Sequence, residues 1–308
     1  MKATSQLCRG IVYVIVSLMF CSCHKELIGA DIKGLRLVKF GYTLPEGVDN
    51  GQPISDMRWL VYDADGKFVR ELDMRTNRYQ YFTQEEMPDG QYTVVNLTNA
   101  SDRSLIENVE TQDAIMASAN TRQPEGWYSN VDCLYWQMRP FTLMEGNTEQ
   151  VILPLADIHC HLHVHVSWKG LPRHSGDWTM RLYNVNVDYH IGQYGLTIAN
   201  LEHPLFGAEI GEHRISVEPF NFELDGEFVV FRWTDSHVPD LQIWCNDESV
   251  SPLIPLGDVF DKWHWSPDHT LSQDYWLNVV LNEDGSADVS VGGRGRIADW
   301  VDGGIIGN

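Results

Sequence analysis

The chain predicts an all-β fold of two tandem antiparallel β-sandwiches, on three observations. Apolar and polar residues alternate along short segments, Gly, Pro, Asn and Asp punctuate those segments at regular intervals, and only one stretch carries helical spacing. Successive side chains of a strand point to opposite faces, so period-two alternation with frequent turns is the pattern of a sandwich. Aromatics make up 11% of the chain and charged residues 21%, the balance of a globular protein. A length of 308 residues leaves room for two domains after an N-terminal leader.

The leader is residues 1–22. Lys2 and Arg9 are basic, Ile11 to Phe20 is an apolar run interrupted by Ser17, and Phe20-Cys21-Ser22-Cys23 ends it with small residues before a cysteine. This is the layout of a secretory signal, too short for a permanent membrane helix. It resembles a bacterial lipoprotein signal, in which the cysteine after the small residue is lipidated; Cys23 fits, whereas bulky Phe20 disfavours Cys21. Residues 23–34 then form a lipidated tether, and Lys25-Glu26 after the lipid site hints at surface export.

The first sandwich is expected over residues 35–155. Leu35 to Tyr42 alternates, Pro45 to Gln52 is a loop, and Met57 to Tyr62 with Phe68 to Leu72 brackets Asp65-Gly66 as a hairpin. Glycine supplies the positive φ that such a turn needs. Asp89-Gly90, Asp225-Gly226 and Asp284-Gly285 read as the same device. Ser104 with Glu107 suggests a capping box, and Leu105, Val109, Gln112 and Met116 follow at helical spacing, predicting a short helix. Val131 to Met138 and Gln150 to Leu153 return to strand, and Pro154 to Asp157 marks the boundary.

The second sandwich is expected over residues 156–308. Its strands are Ile158 to Trp168, Trp178 to Tyr189, Arg214 to Glu218, Phe228 to Trp233, Leu241 to Cys245, Tyr275 to Leu281 and Ala287 to Val291. Gly292, Gly293 and Gly295 then introduce a Gly-rich tail carrying Ile297, Trp300, Ile305 and Ile306, apolar residues that need burial on their own sheet or on a neighbour's as a donor strand.

Formal net charge is −21, and loss of Lys2 and Arg9 with the leader takes it to −23. Such acidity excludes nucleic acid as a charge-driven partner. Of the 6 cysteines, Cys133, Cys160 and Cys245 remain after the signal and Cys23; without a CxxC they read as small buried hydrophobes, with one disulfide or none among them. The sequence holds no GxSxG, HExxH, P-loop or dinucleotide fingerprint, so neither a catalytic residue nor a cofactor is indicated.

Three clusters bear on chemistry. His159, His161, His163 and His165 alternate with Cys160, Leu162, Val164 and Val166, so on a strand the histidines share one face. His-x-His can chelate a transition metal, with His174, His190 or His213 available by composition for a third ligand; a histidine-rich solvent face is the simpler reading. Trp263 and Trp265, near Tyr275 and Trp276, could stack on sugar rings, although core packing is commoner for aromatics. Asp63 and Asp65 lack the remaining ligands of a calcium loop and read as a turn.

The ordered pieces Val38-Lys39-Phe40-Gly41-Tyr42-Thr43, Leu60 to Val69, Gly90 to Val95, Phe228 to Trp233, Leu241-Gln242-Ile243, Pro255-Leu256, Tyr275-Trp276-Leu277 and Asp299-Trp300, behind a lipoprotein start, resemble the FimB-like fimbrial anchor and accessory lipoproteins of Bacteroidales type V fimbriae. The resemblance implies two transthyretin-like sandwiches without catalysis or cofactor, lipid-anchored at the outer membrane and exposed at the cell surface. It implies other fimbrial subunits as partners, joined by β-strand complementation. A surface glycan-binding lipoprotein and a periplasmic metal-binding module are the alternatives. The chain lacks the cysteine expected near the family's first strand.

Overall fold

A computed structural model describes residues 35–43, 54, 56–72, 82–145, 149–170, 174–191, 205–206, 209–270 and 272–292. The leader, Cys23, the tether and the tail with Ile297, Trp300, Ile305 and Ile306 lie outside the described residues. Strands dominate. The first half contributes β1 (Leu35–Thr43), β2 (Arg58–Asp63), β3 (Phe68–Leu72), β4 (Phe82–Pro88), β5 (Gly90–Thr98), β6 (Ser104–Glu107), β7 (Met116–Ala119), β8 (Tyr135–Leu143), β9 (Glu149–Pro154) and β10 (Ala156–Asp157). The second contributes β11 (His159–Trp168), β12 (Trp178–Asn186), β13 (Asp188–His190), β14 (Leu205–Phe206), β15 (Ile210–Val217), β16 (Leu224–Phe231), β17 (Asp240–Cys245), β18 (Glu248–Ser249), β19 (Ile254–Pro255), helix α1 (Leu256–Trp263), β20 (Gln273–Leu281) and β21 (Ala287–Val291).

In the first half a β4-β1-β9 sheet faces a β10-β8-β5-β2-β3 sheet, and Val38, Phe40, Trp59, Val61, Val94, Phe141 and Val151 fill the space between. In the second half β16-β11-β20-β21 faces β15-β12-β17-β18 over a core of Leu162, Val164, Met180, Ile243, Phe260 and Leu277. The halves share one topology. β1 lies between antiparallel β4 and parallel β9, as β11 lies between antiparallel β16 and parallel β20. β2 pairs with β3 and β5 as β12 pairs with β15 and β17.

A further sheet, β14-β13-β7-β6, draws strands from both halves. It covers the outer face of β2 and β5, so Leu60, Tyr62, Val95 and Leu97 pack with Ile115, Ala117, Tyr189 and Ile191, and with Val229 and Phe231 of β16. The unbroken apolar run in β2 follows from this: Trp59 and Val61 face one core, Leu60 and Tyr62 the other.

Several expectations are corrected. The predicted helix at Ser104 to Met116 is instead β6, a single 3-10 turn at Gln112–Ala114 and β7, with Leu105 paired to Ser118. Asn108 has φ 58°, a left-handed conformation that stops a helix, and sheet pairing with β13 outweighs the local cap. Asp65-Gly66 and Asp284-Gly285 are hairpin turns, between β2 and β3 and between β20 and β21. Asp89 instead joins two different sheets, and Asp225-Gly226 lies inside β16 opposite His165 and Val164. A Cβ on Gly226 would stand 2.7 Å from Met180 Sδ and 2.8 Å from Ile215 Cδ1, so its role is close approach of the facing sheet. The strand expected at Val131 to Met138 begins only at Tyr135 and continues through Pro140, which among the described residues has no strand partner on its far side because β10 reaches only Tyr135 and Trp136.

Helix α1 was not legible as an element, although Leu256, Val259 and Phe260 are buried at helical spacing and His264 ends it in the left-handed region.

Candidate functional site

The site rests on β11 and the segment before β8. Period two sends Cys160, Leu162, Val164 and Val166 into the second core and puts the histidines on the opposite face. That face is not uniform. His159 is buried beneath residues 131–134, and its Nδ1 donates to Leu134 O at 2.8 Å. Its ring meets Tyr135 edge-on at 5.2 Å. Burial lowers its pKa to about 3, with the neighbouring His161 acting in the same direction, so the imidazole stays neutral.

His161 is half-buried between two partners. Its Nδ1 is 2.7 Å from Glu227 Oε1 on β16, and its Nε2 is 3.5 Å from Cys133 Sγ. A carboxylate only accepts, so the ring proton belongs on Nδ1 and the Nε2 lone pair faces the thiol. Burial, reinforced by the nearby Glu227 and Asp132 carboxylates, pushes the Cys133 thiol up to about 11.

His163 and His165 turn to other acids. His163 Nε2 lies 3.2 Å from Asp274 Oδ1 on β20, and its ring stacks on Trp276 at 3.9 Å. Burial would raise the Asp274 pKa, but the His163 hydrogen bond and its charge lower it. His165 Nδ1 is 2.7 Å from Asp225 Oδ1. The register puts Val229, Glu227 and Asp225 opposite His161, His163 and His165, so the His161–Glu227 pair is diagonal.

Two open grooves flank this face, one of about 410 Å³ beside Cys133, His161 and Asp132, the other of about 360 Å³ beside His163, His165 and Trp276. Among the described residues two triads gather metal-ligating atoms within 4.8 Å of one another: Cys133, His159 and His161, and His161, His163 and Glu227. The residues gathered with the strand histidines are Cys133 and Glu227, and His174, His190 and His213 are in neither triad. His213 is buried on β15, stacked on Tyr128 at 5.6 Å, and His190 lies on β13. Cys133 is the residue that sequence reasoning missed. It precedes β8, whereas His159 opens β11 after β8, β9 and β10 have passed through two different sheets, and no spacing marks it.

The other sequence candidates lie apart. Trp263 is 38% exposed on α1, whereas Trp265 packs on Phe260 at 5.2 Å and on Tyr275 at 5.1 Å, against the second core. Asp63 Oδ1 accepts from the backbone N–H groups of Asp65 and Lys67, closing the β2–β3 turn. Cys133, Cys160 and Cys245 are all free thiols. No helix among the described residues is long and apolar enough to cross a membrane.

Comparison with curated proteins finds no match. Solved structures share the fold. A candidate polysaccharide-binding protein from Bacteroides thetaiotaomicron superposes with a TM-score of 0.62 at 13% identity, over 84% of this chain and 96% of its own. A candidate adhesin from the same species gives 0.58 at 12% identity, over 84% and 96%. The fimbrial anchor protein Mfa2 from Porphyromonas gingivalis gives 0.57 at 14% identity, over 84% and 98%. The sequence model described as fimbrillin-A associated anchor proteins Mfa1 and Mfa2 matches residues 38–204, more than half of the chain and parts of both sandwiches, so the chain belongs to that family.

Proposed function

We propose that this protein is a structural subunit of a fimbrium, an anchor or accessory component tethered to the outer membrane by lipid on Cys23 and joined to other subunits by β-strand complementation. The observation that carries the reading is the family match across β1 to β13. The leader supports the tether, since stable anchoring of a chain with this layout depends on acyl chains.

The sheet edges bear on where a partner strand could add. Leu155 N–H donates to Thr43 O, so alternate backbone groups of β9, including Ile152 O and Pro154 O, face its free edge. Arg139 Nη1 donates to Ile152 O at 3.3 Å, Gln137 Nε2 donates to Pro154 O at 3.1 Å, and Pro154 has no N–H, which blunts that edge. Among the described residues β21 is the outermost strand of its sheet, and the sequence continues from it toward Ile297 and Trp300. Strand addition would use unpaired N–H and C=O groups for affinity and alternate side chains for fit.

Two measurements test the reading. Cys23→Ser should abolish palmitate labelling and move the protein from the membrane to the soluble fraction; labelling that persists in the variant refutes the tether. Deletion from Arg296 onward should prevent incorporation into fibres, and fibres that form normally without the tail rule it out as the donor strand.

A further inference from the structure

The geometry points to a transition-metal site formed by Cys133, His159 and His161, which would clamp the segment leading into β8 of the first sandwich to β11 of the second. The ligand class is a borderline-soft divalent ion such as Zn²⁺, suited to one thiolate and two imidazoles.

The ligand atoms are already convergent, all lying within 4.8 Å of one another. Zn–S and Zn–N bonds of about 2.3 and 2.05 Å at a tetrahedral angle separate sulfur from nitrogen by about 3.6 Å. Cys133 Sγ and His161 Nε2 stand 3.5 Å apart. Both imidazoles are oriented from behind. His159 Nδ1–H is held by Leu134 O at 2.8 Å and His161 Nδ1–H by Glu227 Oε1 at 2.7 Å, so each neutral ring carries its lone pair on Nε2. Such outer partners fix the tautomer and raise ligand basicity. Cys133 and His161 are half-buried and line the groove beside Asp132, which gives an ion access to them, while His159 is buried.

The neighbouring triad of His161, His163 and Glu227 is the weaker arrangement. Two ligands of one tetrahedral ion with bonds of about 2.05 Å sit about 3.3 Å apart, whereas His161 Nδ1 and Glu227 Oε1 are 2.7 Å apart, a hydrogen bond. His163 Nε2 is already turned to Asp274 at 3.2 Å.

The test uses the untagged full chain under a non-thiol reductant, with Zn²⁺ and Co²⁺ as separate probes. One Zn²⁺ should bind per chain and raise the melting temperature. The Co²⁺ form should show thiolate-to-metal charge-transfer absorption that Cys133→Ser removes. Glu227→Gln should weaken Zn²⁺ binding on the order of 10- to 100-fold, as loss of an outer-shell partner does. His163→Gln and His165→Gln should bind Zn²⁺ as the parent does. Metal-free melting curves matching the parent establish that Cys133→Ser is folded. Absence of stoichiometric Zn²⁺ binding, an unchanged Co²⁺ spectrum in folded Cys133→Ser, or loss of binding in His163→Gln would each overturn the assignment.

Discussion

Burial holds His159 and His213 neutral, so their protonation in acid weighs against the folded state. His213 on β15 is buried, and desolvation lowers its pKa to about 4 from 6.5, with a backbone contact at Ser129 opposing that shift. An unfolded chain protonates this histidine below pH 6.5 while the folded one resists until about pH 4. The stabilisation is therefore complete above pH 6.5 and is lost as pH falls through that window, at most about 3 kcal/mol for this residue. Urea midpoints measured with chelator present should fall more steeply between pH 7 and 4.5 in the parent than in His213→Gln. Parallel pH profiles would show that His213 contributes nothing. By contrast the His161, His163 and His165 pairs with acids are half-exposed, and in the metal-free protein replacing His161 and His163 by Thr should change stability by less than about 1 kcal/mol. Urea titration of the double variant measures this.

Among elements, two Asp-Gly pairs with the same sequence do different work. Gly285 closes the β20–β21 hairpin at φ 84°, and a Cβ there would touch nothing within 4 Å. Gly285→Ala should cost about 1–2 kcal/mol, all of it from forcing an L-residue into the left-handed region. Gly226 is a strand residue, and its substitution drives Cβ into Met180 and Ile215. Gly226→Val should cost about 1–3 kcal/mol by overpacking. Trimming Met180 to Ala in the same chain should return part of the Gly226→Val loss but none of the Gly285→Ala loss. Chemical denaturation of the four variants separates the two causes, and equal behaviour would remove the distinction.

On the scale of the whole molecule, the sheet and core shared between the halves should make them unfold as one cooperative unit. Ile115 on the segment before β7 is fully buried with Tyr189 of the second half and Leu60 of the first. Calorimetry should show a single unfolding transition. Ile115→Ala should cost about 2–5 kcal/mol through the cavity it leaves and separate the transition into two, since the lost contacts are those between the halves. A parent that already melts in two steps would contradict the coupling.

Sequence by itself determined the strand class, the positions of most strands, the alternation of β11 and the choice of Cys160, Leu162, Val164 and Val166 as core. These follow from period-two patterning, which is local. It also determined the family, because ordered strand fragments survive as a pattern along the chain. Tertiary structure alone decided what lies beyond the next turn. The stretch from Ser104 to Met116 has helical spacing, yet pairing with β13 from the other half makes it a hairpin. Asp225-Gly226 carries a turn signature, but the facing sheet needs a residue without a side chain there. The histidine face shows its period in sequence, whereas its sorting into a buried His159, a His161 held between Cys133 and Glu227, and acid-paired His163 and His165 is set by β16, β20 and residues 131–134. Burial and convergence of ligands are properties of neighbours in space, and no spacing along one strand encodes them.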